Sequence, residues 1–244
     1  MTNHHLSALV HHQAEKYGEK IALKYRDYDT AQWVSVSWSN FSDIIKKTAD
    51  AFVALGIREE ENVAIFSQNK PECFYVDFGA FANRGVTVPL YATSSSSQAQ
   101  YIVNDAEIRF LFVGEQLQYD VAFSILSLCP SLQKIVIFDR SVVKDPRDIA
   151  SVYFDEFLQT GEGLTHYDTV EERTKRASED DLANILYTSG TTGEPKGVMI
   201  HHSCYMEVFH THDERLKTMT DQDISMNFLP LTHIFEKAWC YLCI

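Results

Sequence analysis

Positive charge is what this sequence has least of: 21 Lys and Arg stand against 34 Asp and Glu, a formal net charge of -13 over 244 residues. No Lys/Arg cluster is longer than a pair. The basic face with which nucleic-acid binders neutralise phosphates is missing, which argues against a nucleic-acid partner. An anionic ligand must then be held locally, by backbone N–H groups, a helix N-terminus or a metal. Cysteine is scarce and odd in number. Cys73, Cys129, Cys204, Cys240 and Cys243 lack the dense spacing of a disulfide scaffold and read as reduced thiols of a cytoplasmic protein. No stretch approaches the roughly 20 apolar residues that cross a bilayer. Met1 to His12 has no basic head followed by an apolar run, so no signal peptide is expected. Peripheral membrane association stays open.

What is present is a chain 45% hydrophobic, enough to bury a core. Leu6, Leu9, Val10 and Ala14 predict a short amphipathic helix. Ile21 to Tyr25 and Trp33 to Val36, around Asp27-Tyr28-Asp29, read as a hairpin. Ser39 to Leu55 reads as a helix, with Ser39 or Asn40 as its cap and Gly56 at its end. Strand candidates then begin near Val63, Val86, Phe110 and Ile135, separated by helical stretches at Glu72 to Asn83, Gln98 to Asp105 and Glu115 to Leu128. That alternation predicts an α/β fold, a mainly parallel sheet flanked by helices. Residues 139–181 turn charged, with Val152 to Leu158 the one apolar stretch, and read as a surface excursion joining two lobes. The expected division is a first lobe over 1–180 and the opening strands of a second over 181–244. In the latter, Leu182 to Tyr187, Gly197 to Ile200 and Ile224 to Leu229 read as strands, and Ser203 to Leu216 and His233 to Ile244 as helices.

The sharpest signal lies between two of those strands, Tyr187-Thr188-Ser189-Gly190-Thr191-Thr192-Gly193-Glu194-Pro195-Lys196-Gly197-Val198. Gly190 and Gly193 let the backbone approach a bulky anion and turn N–H groups toward it. Thr188, Ser189, Thr191 and Thr192 add hydroxyl donors, and Lys196 adds the point charge that phosphates attract. The Walker A pattern is excluded, because Gly197 and a strand follow the lysine where Ser or Thr and a helix are required. A loop of this composition could also be a plain flexible turn. Other candidates read as structural. His201-His202 and His210-Thr211-His212 lack a paired Cys or carboxylate pattern and read as helix-surface residues, and the metal-binding residues stay unassigned. Cys240 and Cys243 read as helix packing, and Ser94 to Ser97 as a solvated helix start.

The twelve-residue string resembles the signature phosphate loop of the AMP-forming adenylating superfamily, which includes acyl-CoA synthetases, luciferases and adenylation domains of peptide synthetases. Leu229-Pro230-Leu231-Thr232-His233-Ile234-Phe235-Glu236 is similar to that family's next motif. Pro89-Leu90-Tyr91-Ala92-Thr93-Ser94-Ser95, with the His-Ile-Phe-Glu continuation, resembles its long-chain fatty-acid CoA ligase branch. The resemblance implies that a fatty carboxylate attacks the α-phosphate of ATP, with Mg2+, to give acyl-AMP and pyrophosphate, and that the thiol of coenzyme A then takes the acyl group. It implies that residues 188–196 hold the β- and γ-phosphates and that His233 sits near the acyl carboxylate or helps order the loop, with Lys196 and His233 in the catalytic roles. The family's later motifs and C-terminal domain are not in this sequence, so it reads as an N-terminal fragment, inactive alone and prone to self-association. Two other readings stand beside it: a non-enzymatic nucleotide- or phosphate-binding module, and an aryl or amino acid adenylating relative.

Overall fold

The computed structural model describes residues 5–27, 30–163, 167–188 and 194–244. A 3-10 turn (Leu6–Ala8) leads into α1 (Leu9–Tyr17). β1 (Ile21–Asp27) and β2 (Gln32–Ser37) then pair as an antiparallel ribbon apart from the main sheet, as the hairpin reading expected. Tyr28 and Asp29 of its turn lie outside the described residues. α2 (Trp38–Ala54) is capped two or three residues earlier than expected, by the Ser37 hydroxyl, which accepts the Asn40 N–H at 3.2 Å. Gly56 follows its end at φ 72°, a left-handed turn that glycine makes without a Cβ clash.

From Asn62 onward strands and helices alternate. β3 (Asn62–Phe66), α3 (Pro71–Ala82), β4 (Val86–Leu90), α4 (Ser96–Asp105), β5 (Phe110–Val113), α5 (Gln116–Ile125) and β6 (Lys134–Ile137) build the parallel centre of a seven-stranded sheet. Its strands read as unbroken apolar runs because both faces are covered. Val63, Ile65, Phe110, Phe112 and Val136 point to one face, against α2 and α3. Ala64, Phe66, Val88, Leu90, Leu111, Val113 and Ile135 point to the other, against α4 and α5. Pro71 opens α3, where a missing N–H costs nothing. The serine run does start a helix: the Ser95 hydroxyl accepts the Gln98 N–H at 3.3 Å and the Gln98 side chain accepts the Ser95 N–H at 2.9 Å.

The charged excursion is more than a surface link. It holds β7 (Val152–Tyr153), which extends the sheet beside β6, and α6 (Phe154–Gln159). The Phe157 ring is fully buried against Phe52 and Phe112, each at 5.3 Å, which is why this one apolar stretch interrupts the charge. α7 (Tyr167–Arg176) follows, and its Arg173 donates to Asn83 Oδ1 at 2.8 Å and the Ile57 carbonyl at 3.0 Å.

β8 (Leu182–Thr188) and β9 (Lys196–His201), where the sequence suggests that a second lobe opens, extend this same sheet, in the order β7-β6-β5-β3-β4-β8-β9. β8 runs parallel to β4, and β9 is the antiparallel edge. α8 (His202–Arg215) and α9 (Ile234–Cys243) pack on the α3 face. Ile224 to Leu229, expected as a strand, is not one. Among the described residues no strand pairs with it, and Ile224, Met226 and Phe228 are 98%, 77% and 72% exposed.

Candidate functional site

In an open parallel sheet, ligands bind beyond the C-terminal ends of the strands, where successive connections leave toward opposite faces. Here that place is the end of β3 and β4: α3 covers one face and α4 the other. β8 lies next to β4 and parallel to it, so its last residue, Thr188, belongs to the same edge of the sheet. Across the β8–β9 ladder Thr188 is paired with Lys196, and both are exposed. The two ends of the glycine- and hydroxyl-rich loop are thus brought together at that edge. Ser189, Gly190, Thr191, Thr192 and Gly193 lie outside the described residues.

The third glycine of the string has a different task from the one its company suggests. Gly197 sits opposite Tyr187 on the neighbouring strand, and a Cβ there would lie 2.7 Å from Ile185 Cγ2 and 3.2 Å from the Tyr187 ring. It makes room for cross-strand packing. Tyr187 is itself buried, and its hydroxyl donates to Asp105 Oδ2 at the end of α4. Burial, with Asp105 beside it, pushes this phenol well above its ordinary value, so it serves as an anchor and keeps its proton.

His233 is the N-cap of α9, exposed, with Nδ1 accepting the Phe235 N–H at 3.3 Å. Its approach is gripped by Asn69, which follows β3. Asn69 Nδ2 donates to the Leu229 carbonyl at 2.7 Å and to Asn227 Oδ1 at 2.6 Å, and Oδ1 accepts the Leu231 N–H at 3.1 Å. Because Asn69 stands at the C-terminal end of β3, the His233 turn reaches the same edge of the sheet as Thr188 and Lys196.

Beneath that edge runs a buried polar chain that sequence reasoning missed. Asp77 of α3 is fully buried; its Oδ2 accepts the Lys237 ammonium at 2.6 Å and the Tyr241 hydroxyl at 2.8 Å. Its Oδ1 accepts the Thr87 hydroxyl of β4 at 2.6 Å. Thr87 Oγ1 accepts Asn184 Nδ2 of β8, and Asn184 Oδ1 accepts the Tyr205 hydroxyl of α8, both at 2.6 Å. Every carboxylate oxygen is answered, as a buried charge requires. Burial holds the Tyr205 and Tyr241 phenols far above their ordinary value. The one available signal was an acid, Asp77, within the apolar body of the helix Pro71–Ala82 and a lone base in the apolar helix Ile234–Cys243.

The remaining candidates fall away from the site. His202 is a correction: expected on a helix surface, it is fully buried, its ring 3.5 Å from that of His5 and its Nδ1 accepting the Leu6 N–H at 3.3 Å. Burial depresses it to about 2, and depresses His5 to about 4. His210 is exposed beside Glu214, as expected. Burial pushes the Cys240 thiol up to about 12, which removes it from redox chemistry near neutral pH. Among the described residues no three His, Cys, Asp or Glu side chains gather as a metal site, and no helix is long and apolar enough to cross a membrane. A larger surface hollow, of about 560 Å³, is lined by Arg58, Glu61, Asn62, Arg109 and Gln133 at the opposite end of the strands. Its arginines are already answered, since Arg58 and Arg109 both pair with Glu61.

The chain is 28% identical over 229 residues to the human long-chain-fatty-acid–CoA ligase ACSBG1, covering 92% of this chain and 31% of that protein. It is 27% identical over 240 residues to long chain acyl-CoA synthetase 4 of Arabidopsis thaliana, covering 92% of this chain and 34% of that one. It therefore spans about a third of the length of these curated relatives. Among solved structures, the long-chain-fatty-acid-CoA ligase FadD1 of Archaeoglobus fulgidus matches with a TM-score of 0.70 at 21% identity, over 97% of this chain and 44% of that one. The anthranilate CoA ligase AuaEII, solved with anthranoyl-AMP, matches with a TM-score of 0.68 at 20% identity, over 84% of this chain and 36% of that one. These two likenesses establish the fold. The family model described as AMP-binding enzyme matches residues 10–244, nearly the whole of the sequence that carries the loop and the His233 turn, and this chain belongs to that family.

Proposed function

We propose that this chain is the ATP-phosphate-binding part of a long-chain fatty-acid CoA ligase. The observation that carries the reading is the pairing of Thr188 with Lys196 at the C-terminal edge of the sheet, where the His233 turn also arrives. In the proposed reaction a carboxylate oxygen attacks the α-phosphorus of ATP and pyrophosphate leaves. The sulfur of coenzyme A then attacks the acyl carbon, its proton is lost, and AMP departs. Thr188 and Lys196, with Ser189, Gly190, Thr191, Thr192 and Gly193, hold the β- and γ-phosphates through N–H, hydroxyl and ammonium donors. Lys196 fits this task because it is an exposed cation at the mouth of the hairpin in a chain of net charge -13. Mg2+ belongs on the triphosphate, whose oxygens and waters suit it. His233 serves the acyl carboxylate.

The relatives named as long-chain ligases support the acyl substrate. They are about three times as long as this chain, and we assign the complete two-step reaction to a protein of that length. Exposed Ile224, Met226 and Phe228, with the open edge of β9, support self-association of this chain alone, which light scattering over a concentration series measures. The first test is calorimetry of ATP binding in the presence of magnesium, on the native chain, Lys196→Ala and Gly193→Val. Binding by the native chain that both substitutions abolish is the expected result. Binding that survives both would remove the loop from the reading.

A further inference from the structure

Two facts about Asp77 go beyond its burial. The first concerns β8. The ladder between β4 and β8 holds a single register pair, Thr87 with Asn184. The side chains of that same pair are joined at 2.6 Å, and Thr87 is held in turn by Asp77. The side-chain link that accompanies this pairing of β8 with the parallel sheet thus ends on the carboxylate, and β8 ends in Thr188.

The second concerns α9. The Lys237 N–H donates to the His233 carbonyl at 3.1 Å, so the ammonium that Asp77 fixes sits one turn into the helix that His233 caps. Asn69, in the turn before α3, grips the chain on the other side of His233. α3 and its preceding turn therefore hold the His233 turn from both sides, while the second oxygen of Asp77 reaches toward the strand that carries Thr188.

We propose that Asp77 is a positioning residue, which through Lys237 and Thr87 keeps the His233 turn and the Thr188 end of the phosphate loop in one fixed frame. An apolar contact could fill the same space, but the paired ammonium and hydroxyl fix direction as well as distance. The roles of His233 and Thr188 rest on the function proposed above; the coupling between them is a property of this chain and is read without ATP.

The experiment is NMR of the isotope-labelled 244-residue chain, following the His233 ring signals and the Thr188 amide. The Asp77 carboxylate is hydrogen-bonded to Lys237, Tyr241 and Thr87, and neither His233 nor Thr188 is among these partners. The variants are Asp77→Asn, Lys237→Met and Lys237→Arg, with Asp148→Asn as a control. Asp148 is another buried carboxylate, accepting the Tyr119 hydroxyl at 2.7 Å in a different part of the fold. Asp77→Asn and Lys237→Met are expected to move both signals by more than a linewidth. Lys237→Arg should return them toward their native positions, and Asp148→Asn should leave them in place. If the single variants do not fold, Asp77→Leu combined with Lys237→Met leaves no charge unpaired, and the same two shifts are expected in it. Folded variants with both signals unmoved would overturn the proposal, as would equal movement in Asp148→Asn. A chain that shows the shifts but binds no ATP would keep this inference and sink the functional reading.

Discussion

The central strands β3 to β6 and the segment Ile224 to Leu229 use the same raw material, short apolar runs, and meet opposite fates. Phe66, Phe110 and Phe112 are at most 2% exposed, while Ile224, Met226 and Phe228 are at least 72% exposed. In the first case a parallel neighbour lies on each side and a helix layer on each face. In the second, the side chains that are held are the alternate polar ones, with Ser225 accepting the Trp239 N–H at 2.7 Å and Asn227 accepting from Asn69, while Asn69 also grips the Leu229 carbonyl at the segment's end. An alternating pattern proposes a strand, but the ladder partner decides it.

That contrast can be broken from its strong end first. Phe112→Ala removes a ring packed against Phe52, Phe138 and Phe157, and is expected to cost about 3–5 kcal/mol in urea unfolding. Lys237→Met strands the buried Asp77 carboxylate and is expected to cost about as much, ~3–5 kcal/mol. The double change Asp77→Leu with Lys237→Met should recover most of that loss, which separates an unpaired charge from a packing defect.

A third effect depends on pH. His5 and His202 stay neutral in the fold down to about 4 and about 2, against an ordinary value of 6.5. The unfolded chain therefore binds more protons below about 6.5, and stability is lost as pH falls from there through about 4. Asp181 adds to the loss at the acid end. Its burial opposes ionisation, but the hydrogen bonds from Arg84 and the Ser178 N–H outweigh it and hold the carboxyl below its ordinary value. Urea midpoints measured across this window should fall more steeply in the native chain than in His202→Phe; equal slopes would remove the buried pair from the account.

Smaller effects are expected toward the edge of the sheet. Gly197→Ala forces a methyl against Ile185 and Tyr187 and should cost about 1–3 kcal/mol by thermal or urea unfolding. Phe228→Ala, at the exposed end of the comparison, should stay within about 0.5 kcal/mol, while lowering light scattering at high concentration. A large loss on Phe228→Ala would mean that the two regions are less different than their exposure suggests.

The elements that were legible in the sequence are those with local causes. The runs at Val63, Val86, Phe110 and Ile135 announce buried parallel strands, and the serine run Ser94 to Ser97 announces a helix start. The loop string was legible too, since its glycines, hydroxyls and lysine are contiguous. Gly197 was grouped with it by proximity, although its reason is a tyrosine ring across the hairpin. His202 was taken for a surface residue because nothing beside it in the chain reveals His5, nearly the whole sequence away. A separation of 160 residues likewise hid the link from Asp77 to Lys237.

The sequence by itself determined the alternation of strands and helices, the acidic balance and the chemistry available in the loop, because these depend on chain neighbours and composition. Tertiary structure alone decided that β8 and β9 join the existing sheet, that Ile224 to Leu229 stays unpaired, and that a buried carboxylate ties α3 to β4 and α9. The physical reason is common to all three. A backbone edge or a buried charge must be answered by a partner, and here the partner lies far along the chain, where only folding brings it near.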